Sequence, residues 1–482
     1  MASGPHKRIL HLGHRWLGIG LALLMLLWFV SGLIMLFIAR PQLSDSERLA
    51  ALPALSAADI RISPRQAWHA LQLPGAPEAL RLNVAASGTA YRILAQQTWH
   101  SIDASSGTLL PPGDIALARQ SIERHVGQTA IHRLRPIHID QWTLYRRFDA
   151  ERPFWRAELV DGRHFYFSSR THQIALDSSR SERIWNWLGS VSHWIYITPL
   201  RQNPPLWRQI VLWVSFFALI LVVSGAWLGW QRWRLRTPYR DGRSSPYRKR
   251  WKRWHHLFGL ACALILFGWL LSGWLSLAPL GWAGNGAKKP PARALDIEQL
   301  TLIPEIAAGT REIEWSQLGG TLLRNDKSAT QSFIRPAGFA PQSQLSLDDI
   351  TNALRGIPDL QIAQAHWQTE ADSRYFPLRH HPRSFPVARI TLADASVLYI
   401  SPHNGRIVAS AHPNDFAQRW LYHGLHRLDF PMLINPPWLR ELLVVLLSLV
   451  GIAFCLTGIA LAWSRLSRTT DSVGCAKQNT GG

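Results

Sequence analysis

Two histidines stand at the basic ends of long apolar runs, at matching places in two halves of one chain. The first run begins His14-Arg15-Trp16-Leu17-Gly18 and stays apolar to Ser31-Gly32. The second begins His255-His256-Leu257-Phe258-Gly259 and stays apolar to Ser272-Gly273. One constant offset superimposes the histidine, the glycine four residues later and the Ser-Gly pair. Imidazole beside hydrocarbon is costly without a partner, and two at one depth on two helices make a candidate ligand pair for a flat cofactor. Further along, Trp187-Leu188 leads to His193 and then to Asn203-Pro204-Pro205, while Trp420-Leu421 leads to His426 and then to Asn435-Pro436-Pro437. The apolar runs that follow contain Ser224-Gly225 and Thr457-Gly458, and a one-residue gap reconciles the two series. Four histidines thus survive superposition of the halves: His14 with His255, and His193 with His426.

The elements that must position them are membrane helices. The chain has 482 residues and is 47% hydrophobic, but its apolar residues are concentrated in 16–39, 206–230, 256–280 and 438–463. Each stretch meets the length of about 20 residues needed to cross a hydrocarbon core of about 30 Å. The polar segments between them are long enough to fold as domains. Proline in a first helical turn loses no hydrogen bond, so each Asn-Pro-Pro is a helix start. The first run is too long for the apolar part of a secretory signal, and no small-x-small site precedes Arg40-Pro41. It reads as an uncleaved anchor.

The expected class is therefore an integral membrane protein: an α-helical four-span bundle built from two repeats, carrying α+β domains. The expected divisions are 1–39 (N-terminus and first span), 40–181 (first domain), 182–231 (amphipathic approach segment and second span) and 232–254 (basic loop). In the second half they are 255–280 (third span), 281–415 (second domain), 416–464 (approach segment and fourth span) and 465–482 (tail).

Orientation follows from the short loops. Residues 232–254 hold ten arginines and lysines against one acid, Asp241, and the tail adds Arg465, Arg468 and Lys477. The positive-inside bias puts these segments and the N-terminus in the cytoplasm, and 40–205 and 281–437 outside, which is the periplasm if the envelope is Gram-negative. Much of the net charge of +21 is then topogenic. A nucleic-acid partner is not implied, since the basic cluster sits against membrane spans. The cysteines, Cys262, Cys455 and Cys475, lie in spans or tail, so no disulfide is expected in the domains and cysteine-ligated zinc or iron–sulfur chemistry is excluded. No dinucleotide fingerprint, Walker loop, serine-nucleophile motif or His-Glu-x-x-His occurs, which leaves the chain without an evident nicotinamide or flavin site of its own.

The domains share a local signature. Residues 398–408, Leu-Tyr-Ile-Ser-Pro-His-Asn-Gly-Arg-Ile-Val, read as strand, glycine turn and returning strand. Residues 99–109 repeat the layout and 165–175 form a glycine-free variant. Ser63-Pro64-Arg65 and Ser346-Leu347-Asp348-Asp349 open helices, the latter with a capping pattern. Small units of a helix on an antiparallel sheet are expected, with 285–345 partly irregular.

The His-Arg-Trp-Leu-Gly opening, the Ser/Thr-Gly pairs and the strand–turn–strand units resemble the PepSY-associated transmembrane proteins. That family includes iron-regulated inner-membrane proteins and haem-containing ferric-siderophore reductases. The resemblance covers nearly the whole chain and implies PepSY-like domains in the periplasm and a multi-pass inner-membrane location. It also implies a ferric siderophore as substrate, reduced so that weakly held ferrous iron is released. Two b-type haems, each held by one histidine from each half, satisfy both histidine pairs. Bis-histidine ligation leaves no open coordination site and suits electron transfer. Arg15 and Arg253 are candidates to meet haem propionates, and electrons would come from a cytoplasmic or quinol donor. Basic segments such as Arg133-Leu134-Arg135 and Arg146-Arg147 would attract an anionic chelate.

Other readings stand beside these. His14 and His255 also fit positive-inside anchors, and His193 and His426 fit interfacial surface histidines. His11, His256 and His423 are spare ligands if the register shifts, because His11/His14 and His423/His426 share a helix face. The tryptophans near span ends fit an aromatic belt, and His380-His381 with His366 fit a surface loop better than a metal site. The rival function is a cofactor-free binding module, with PepSY-like domains displayed on a membrane anchor to restrain an envelope partner. A siderophore permease is a third reading, weakened by the lack of mid-membrane carboxylates.

Overall fold

Four helices carry the apolar runs: Pro5–Phe37, Pro204–Arg232, Arg250–Leu275 and Pro437–Ser467, the last continuing to Gln478. All four are long and apolar enough to cross a bilayer. Asn203 caps the second, its side-chain oxygen accepting from the Leu206 N–H, with Pro204 and Pro205 in the first turn. In this computed structural model the described residues are 5–127, 129–279, 294–336, 339–357, 360–415 and 418–478. The expected limits at 280, 281 and 416 lie outside the described residues.

The first span packs on the second and fourth, and the third packs on the same two, so the chain order runs around the bundle. First and third spans stand diagonally, as do second and fourth. Their shared core holds Met25, Phe29, Ala218, Val222, Cys262, Leu266 and Cys455. The small residues among them, Ala218, Cys262 and Cys455, let the backbones approach where no hydrophobic force acts between helices. The described parts of Met1–Ala39, Trp185–Gly284 and Phe416–Gly482 form this unit, and those of Arg40–Ile184 and Asn285–Asp415 form a second.

The second unit is α+β. Its strands are β1 (Ala79–Ala85), β2 (Gly88–Ala95), β3 (Thr98–Asp103), β4 (Ile131–Ile137), β5 (Phe154–Leu159), β6 (His164–Ser168) and β7 (Ile174–Ser178) from the first half. The second half adds β8 (Glu312–Leu318), β9 (Thr321–Lys327), β10 (Ser332–Pro336), β11 (Ile362–Gln368), β12 (Val387–Leu392), β13 (Val397–Ile400) and β14 (Ile407–Ala411). Each half makes one antiparallel four-stranded sheet, β4-β5-β6-β7 and β11-β12-β13-β14. Helices Ile115–Val126 and Leu347–Arg355 pack on them through Ala118 and Ile122, and through Ile350, Ala353 and Leu354. Helix Pro64–His69 starts at a capping box between Ser63 and Gln66, and Leu347–Arg355 at one between Ser346 and Asp349. The remaining strands form a six-stranded sheet that crosses the halves, β10-β9-β8-β1-β2-β3, with Leu80 opposite Trp315 and Leu82 opposite Ile313. The stretch 285–345, expected to be partly irregular, thus supplies β8 to β10.

Alternation along this sheet puts Leu80, Leu82, Tyr91, Ile93, Ile313 and Trp315 in an apolar core. The other face is also buried, and it is charged. Arg48 donates two hydrogen bonds to the fully buried Glu312, 2.6 and 2.8 Å, and Asn83 and Lys327 donate two more, 2.9 and 3.3 Å. Glu314 pairs with Lys327 at 2.6 Å, with Arg81 and with Arg406. Burial alone would raise both carboxyls. The Arg48 fork holds Glu312 far below the usual carboxylate range, and Arg81, Lys327 and Arg406 hold Glu314 at about 2. A carboxylate depressed in the folded state stabilises above its unfolded value, about 4.3, and loses that contribution as pH falls toward its folded value. The midpoint of thermal unfolding of this unit should therefore drop steadily from about pH 4.5 to about pH 2. A midpoint that is flat over that window would contradict the network's role.

Candidate functional site

The spans bring both histidine pairs together. His14 and His255 meet across the bundle at the end beside the basic segment, with ring centres 6.4 Å apart and planes at 50°. His193 and His426 meet at the far end, 6.2 Å apart and at 70°. Each far-end histidine lies in a one-turn helix, Ser192–Trp194 or Leu425–Arg427, that follows a π-helical stretch, Trp187–Val191 or Gln418–Gly424. Each turn is closed by a left-handed residue, Ile195 at φ 53° or Leu428 at φ 56°. Strained non-glycine residues and π segments of this kind cluster at functional positions.

All four imidazoles are held through Nδ1. His14 Nδ1 lies 3.1 Å from the Leu221 carbonyl and 3.3 Å from Ser224 Oγ, and His255 Nδ1 lies 3.0 Å from Thr457 Oγ1. His193 Nδ1 lies 3.1 Å from Ser31 Oγ, and His426 Nδ1 lies 3.1 Å from Ser272 Oγ and 3.2 Å from the Trp269 carbonyl. Each hydroxyl donates its own hydrogen to the carbonyl three residues earlier: Ser31 to Trp28, Ser224 to Leu221, Ser272 to Trp269 and Thr457 to Phe454. A hydroxyl has one hydrogen, so it must accept from the ring, and a carbonyl can only accept. Nδ1 is therefore the protonated nitrogen in all four, and the Nε2 lone pair is left for a metal. Among the described residues no hydrogen bond reaches any of the four Nε2 atoms. Burial without a carboxylate partner pushes His193 down to about 4 and lowers His426 as well, so both imidazoles are neutral near neutral pH.

The glycine after each hydroxyl makes room for the ring. A Cβ on Gly225 would lie 2.6 Å from His14 Cε1, and one on Gly32 or Gly273 would lie 3.4 Å from Cε1 of His193 or His426. Gly458 has more space, 3.6 Å from His255. The Ser/Thr-Gly pairs are thus the seats of the histidines, a role that helix spacing alone does not reveal. Two metal–imidazole bonds of about 2.0 Å each, plus the half-widths of two rings, span the observed centre-to-centre distances. No group of three or more His, Cys, Asp or Glu able to hold a metal ion exists among the described residues. Two opposed imidazoles and nothing else suit an ion whose remaining positions come from its own macrocycle, and haem is such a group.

Along both the first and third spans the ligand and the far-end hydroxyl are 17 residues apart, His14 to Ser31 and His255 to Ser272. At about 1.5 Å per residue that separates the two pairs by roughly 26 Å, nearly the thickness of a bilayer core.

The spare candidates have other partners. His256 uses both nitrogens, 2.9 Å from Ser245 Oγ and 2.9 Å from the Gly229 carbonyl. His11 Nε2 accepts from Arg232 at 3.0 Å. His423 lies between Arg427 and Asp429. Arg15 and Arg253 are exposed, and the Arg15 guanidinium lies over the Trp16 ring at 5.4 Å. Asp429 was missed from sequence. It is fully buried, pairs with Arg440 at 2.7 Å and Arg427 at 3.1 Å, and its backbone carbonyl accepts from Arg419. The acid pins the segment bearing His426 to the head of the fourth span; an aspartate amid arginines was its only signal.

The family model for the PepSY-associated TM region matches residues 12–301, more than half of the chain. The chain belongs to that family. The match takes in His14, His193 and His255, with Ser31, Ser224 and Ser272, so one complete histidine pair and three of the four hydroxyl seats lie within it. No curated protein matches the chain.

The seats of this PepSY-associated protein can be tested without touching a ligand. Were the basic-end pair to hold a haem, Gly225→Ala should weaken its retention, whereas Gly458→Ala, with ordinary contact distance available, should leave it intact. Thr457→Val should reduce affinity at that pair by about 10–100-fold, the usual effect of losing a partner behind a ligand. Titration of cofactor into stripped protein reads all three, and equal affinity in Gly225→Ala and Gly458→Ala would contradict the packing argument.

Proposed function

We propose that this chain is a two-haem electron-transfer protein of the bacterial inner membrane that reduces a ferric siderophore at the periplasmic face and releases ferrous iron. The observation that carries the reading is the pair of opposed imidazole couples, each with Nδ1 tied back and Nε2 free, about one bilayer core apart. Bound at such couples, b-type haem supplies reversible one-electron exchange. The protein's part is to hold four neutral imidazoles in one tautomer, to keep both couples closed to further ligands, and to exclude water between them with an apolar core. Each couple takes one histidine from each half, which is what an internal two-repeat bundle would produce. Arg15 and Arg253, near the basic-end pair in sequence, would meet propionates there.

The basic segment 232–254 and both termini lie in the cytoplasm in this reading, and the α+β unit lies in the periplasm, following the arginine and lysine bias. A cytoplasmic or quinol donor would reduce the basic-end site, and the acceptor would meet the far-end site. The test is reoxidation. Purified protein reduced by a stoichiometric reductant should be reoxidised by a ferric siderophore with formation of ferrous iron trapped by a chromophoric chelator. Reduced protein that is stable to every ferric siderophore tried, yet reoxidised by oxygen or a quinone, would overturn the substrate assignment.

A further inference from the structure

We infer that electrons cross the bundle along one file of aromatic rings, Phe454, Phe29 and Trp269, on a single side of a pair of otherwise matching halves. This rests on the two-haem reading above.

The file touches both histidine pairs. Phe454 stacks on His255 with ring centres 4.8 Å apart and planes at 18°. One helical turn along, Gly451 has no side chain, and a Cβ there would overlap the Phe29 ring, so that ring lies directly on the fourth span's backbone. Phe29 in turn lies 5.7 Å from Trp269. The carbonyl of Trp269 accepts the Nδ1 hydrogen of His426 at 3.2 Å. From one ligand to the other the file is thus His255, Phe454, the Gly451 notch, Phe29, Trp269 and His426.

Core filling alone would not require rings here. Under the offsets that superimpose the ligands, Phe454 corresponds to Leu221, Gly451 to Ala218, and Phe29 to Leu270. Trp269 corresponds to Trp28, whose indole N–H donates to the His193 carbonyl at 3.1 Å. The mirrored side is therefore aliphatic at the two positions between the pairs, and it packs well enough: Ala218 is fully buried. Leucine meets the packing need, so the phenylalanines and the glycine notch add something else. Electronic coupling falls steeply with the width of each gap and is better through π systems than through saturated side chains. One electron leaves the basic-end site and one arrives at the far-end site; no bond forms or breaks, and no proton moves.

The experiment uses the full-length protein in liposomes, with a membrane-impermeant reductant added to the basic face and haem absorbance followed by stopped flow. Two phases are expected, reduction of the near site and transfer to the far one. Phe29→Leu, which touches no ligand, should slow the second phase several-fold with unchanged haem content, spectrum and midpoint potentials; Phe454→Leu should slow it as well, compared at equal driving force, and the double variant more. Phe454→Tyr, which keeps the ring, should restore the rate, and Leu270→Val on the mirrored side should not alter it. A double variant with both haems, native potentials and an unchanged second phase overturns the file. Wild-type protein without haem overturns the two-haem reading and this inference together.

Discussion

Replacing His255 by alanine should remove one haem and leave the other. The same holds for His14, and replacing His193 or His426 should remove the partner haem instead. The expectation rests on geometry: each pair is a couple of imidazoles with no third candidate ligand among the described residues, so loss of one would leave a single bond where there were two. The roughly 26 Å between pairs keeps the sites independent. Haem content by haemochrome assay should fall by half in each single variant and to zero in His14→Ala/His193→Ala. The residual spectra should be alike within a pair and different between pairs. If all four single variants kept full haem content, the ligand assignment would be wrong.

The second large effect is expected at Asp429. Its carboxylate is fully buried against Arg440, whose side chain is only 7% exposed, and against Arg427. Breaking a buried pair from one side leaves an uncompensated charge and destabilises by about 3–5 kcal/mol. Asp429→Asn should therefore loosen the segment 425–440 and release the far-end haem at lower temperature than the basic-end haem. Asp429→Leu combined with Arg440→Met removes the buried pair, leaves only the partly exposed Arg427 to be met by water, and should recover most of the loss. Differential release of the two haems on heating, followed by absorbance, checks this. Simultaneous release in Asp429→Asn would show that the ion pair does not serve the far-end site.

The spans and the histidine pairing were legible in the sequence because both depend on local pattern. Hydrophobic length declares a membrane helix, and a constant offset brings His14 to His255 and His193 to His426 without knowledge of the fold. The seats were half legible: Ser31-Gly32 and its three counterparts stood out as repeated small residues, but the hydroxyl's tie to Nδ1 depends on which elements lie side by side in the bundle, which spacing cannot give. Illegible altogether was the pairing of β1 with β8, which joins segments over two hundred residues apart into one sheet. The buried charges on that sheet were hidden too, since Glu312, Glu314 and Lys327 lie in the stretch expected to be partly irregular, and nothing local says that a second layer covers them. Asp429 was lost for the same reason: a lone acid among arginines looks like surface charge unless its burial is known.

The central claim is that two opposed imidazole couples hold two haems. Its most direct test is the reduced-minus-oxidised absorption spectrum of the purified protein from haem-replete cells, with haem quantified per chain. The expected result is a low-spin b-type spectrum with a reducible Soret band and two haems per chain; a colourless preparation would leave neither histidine couple with a haem.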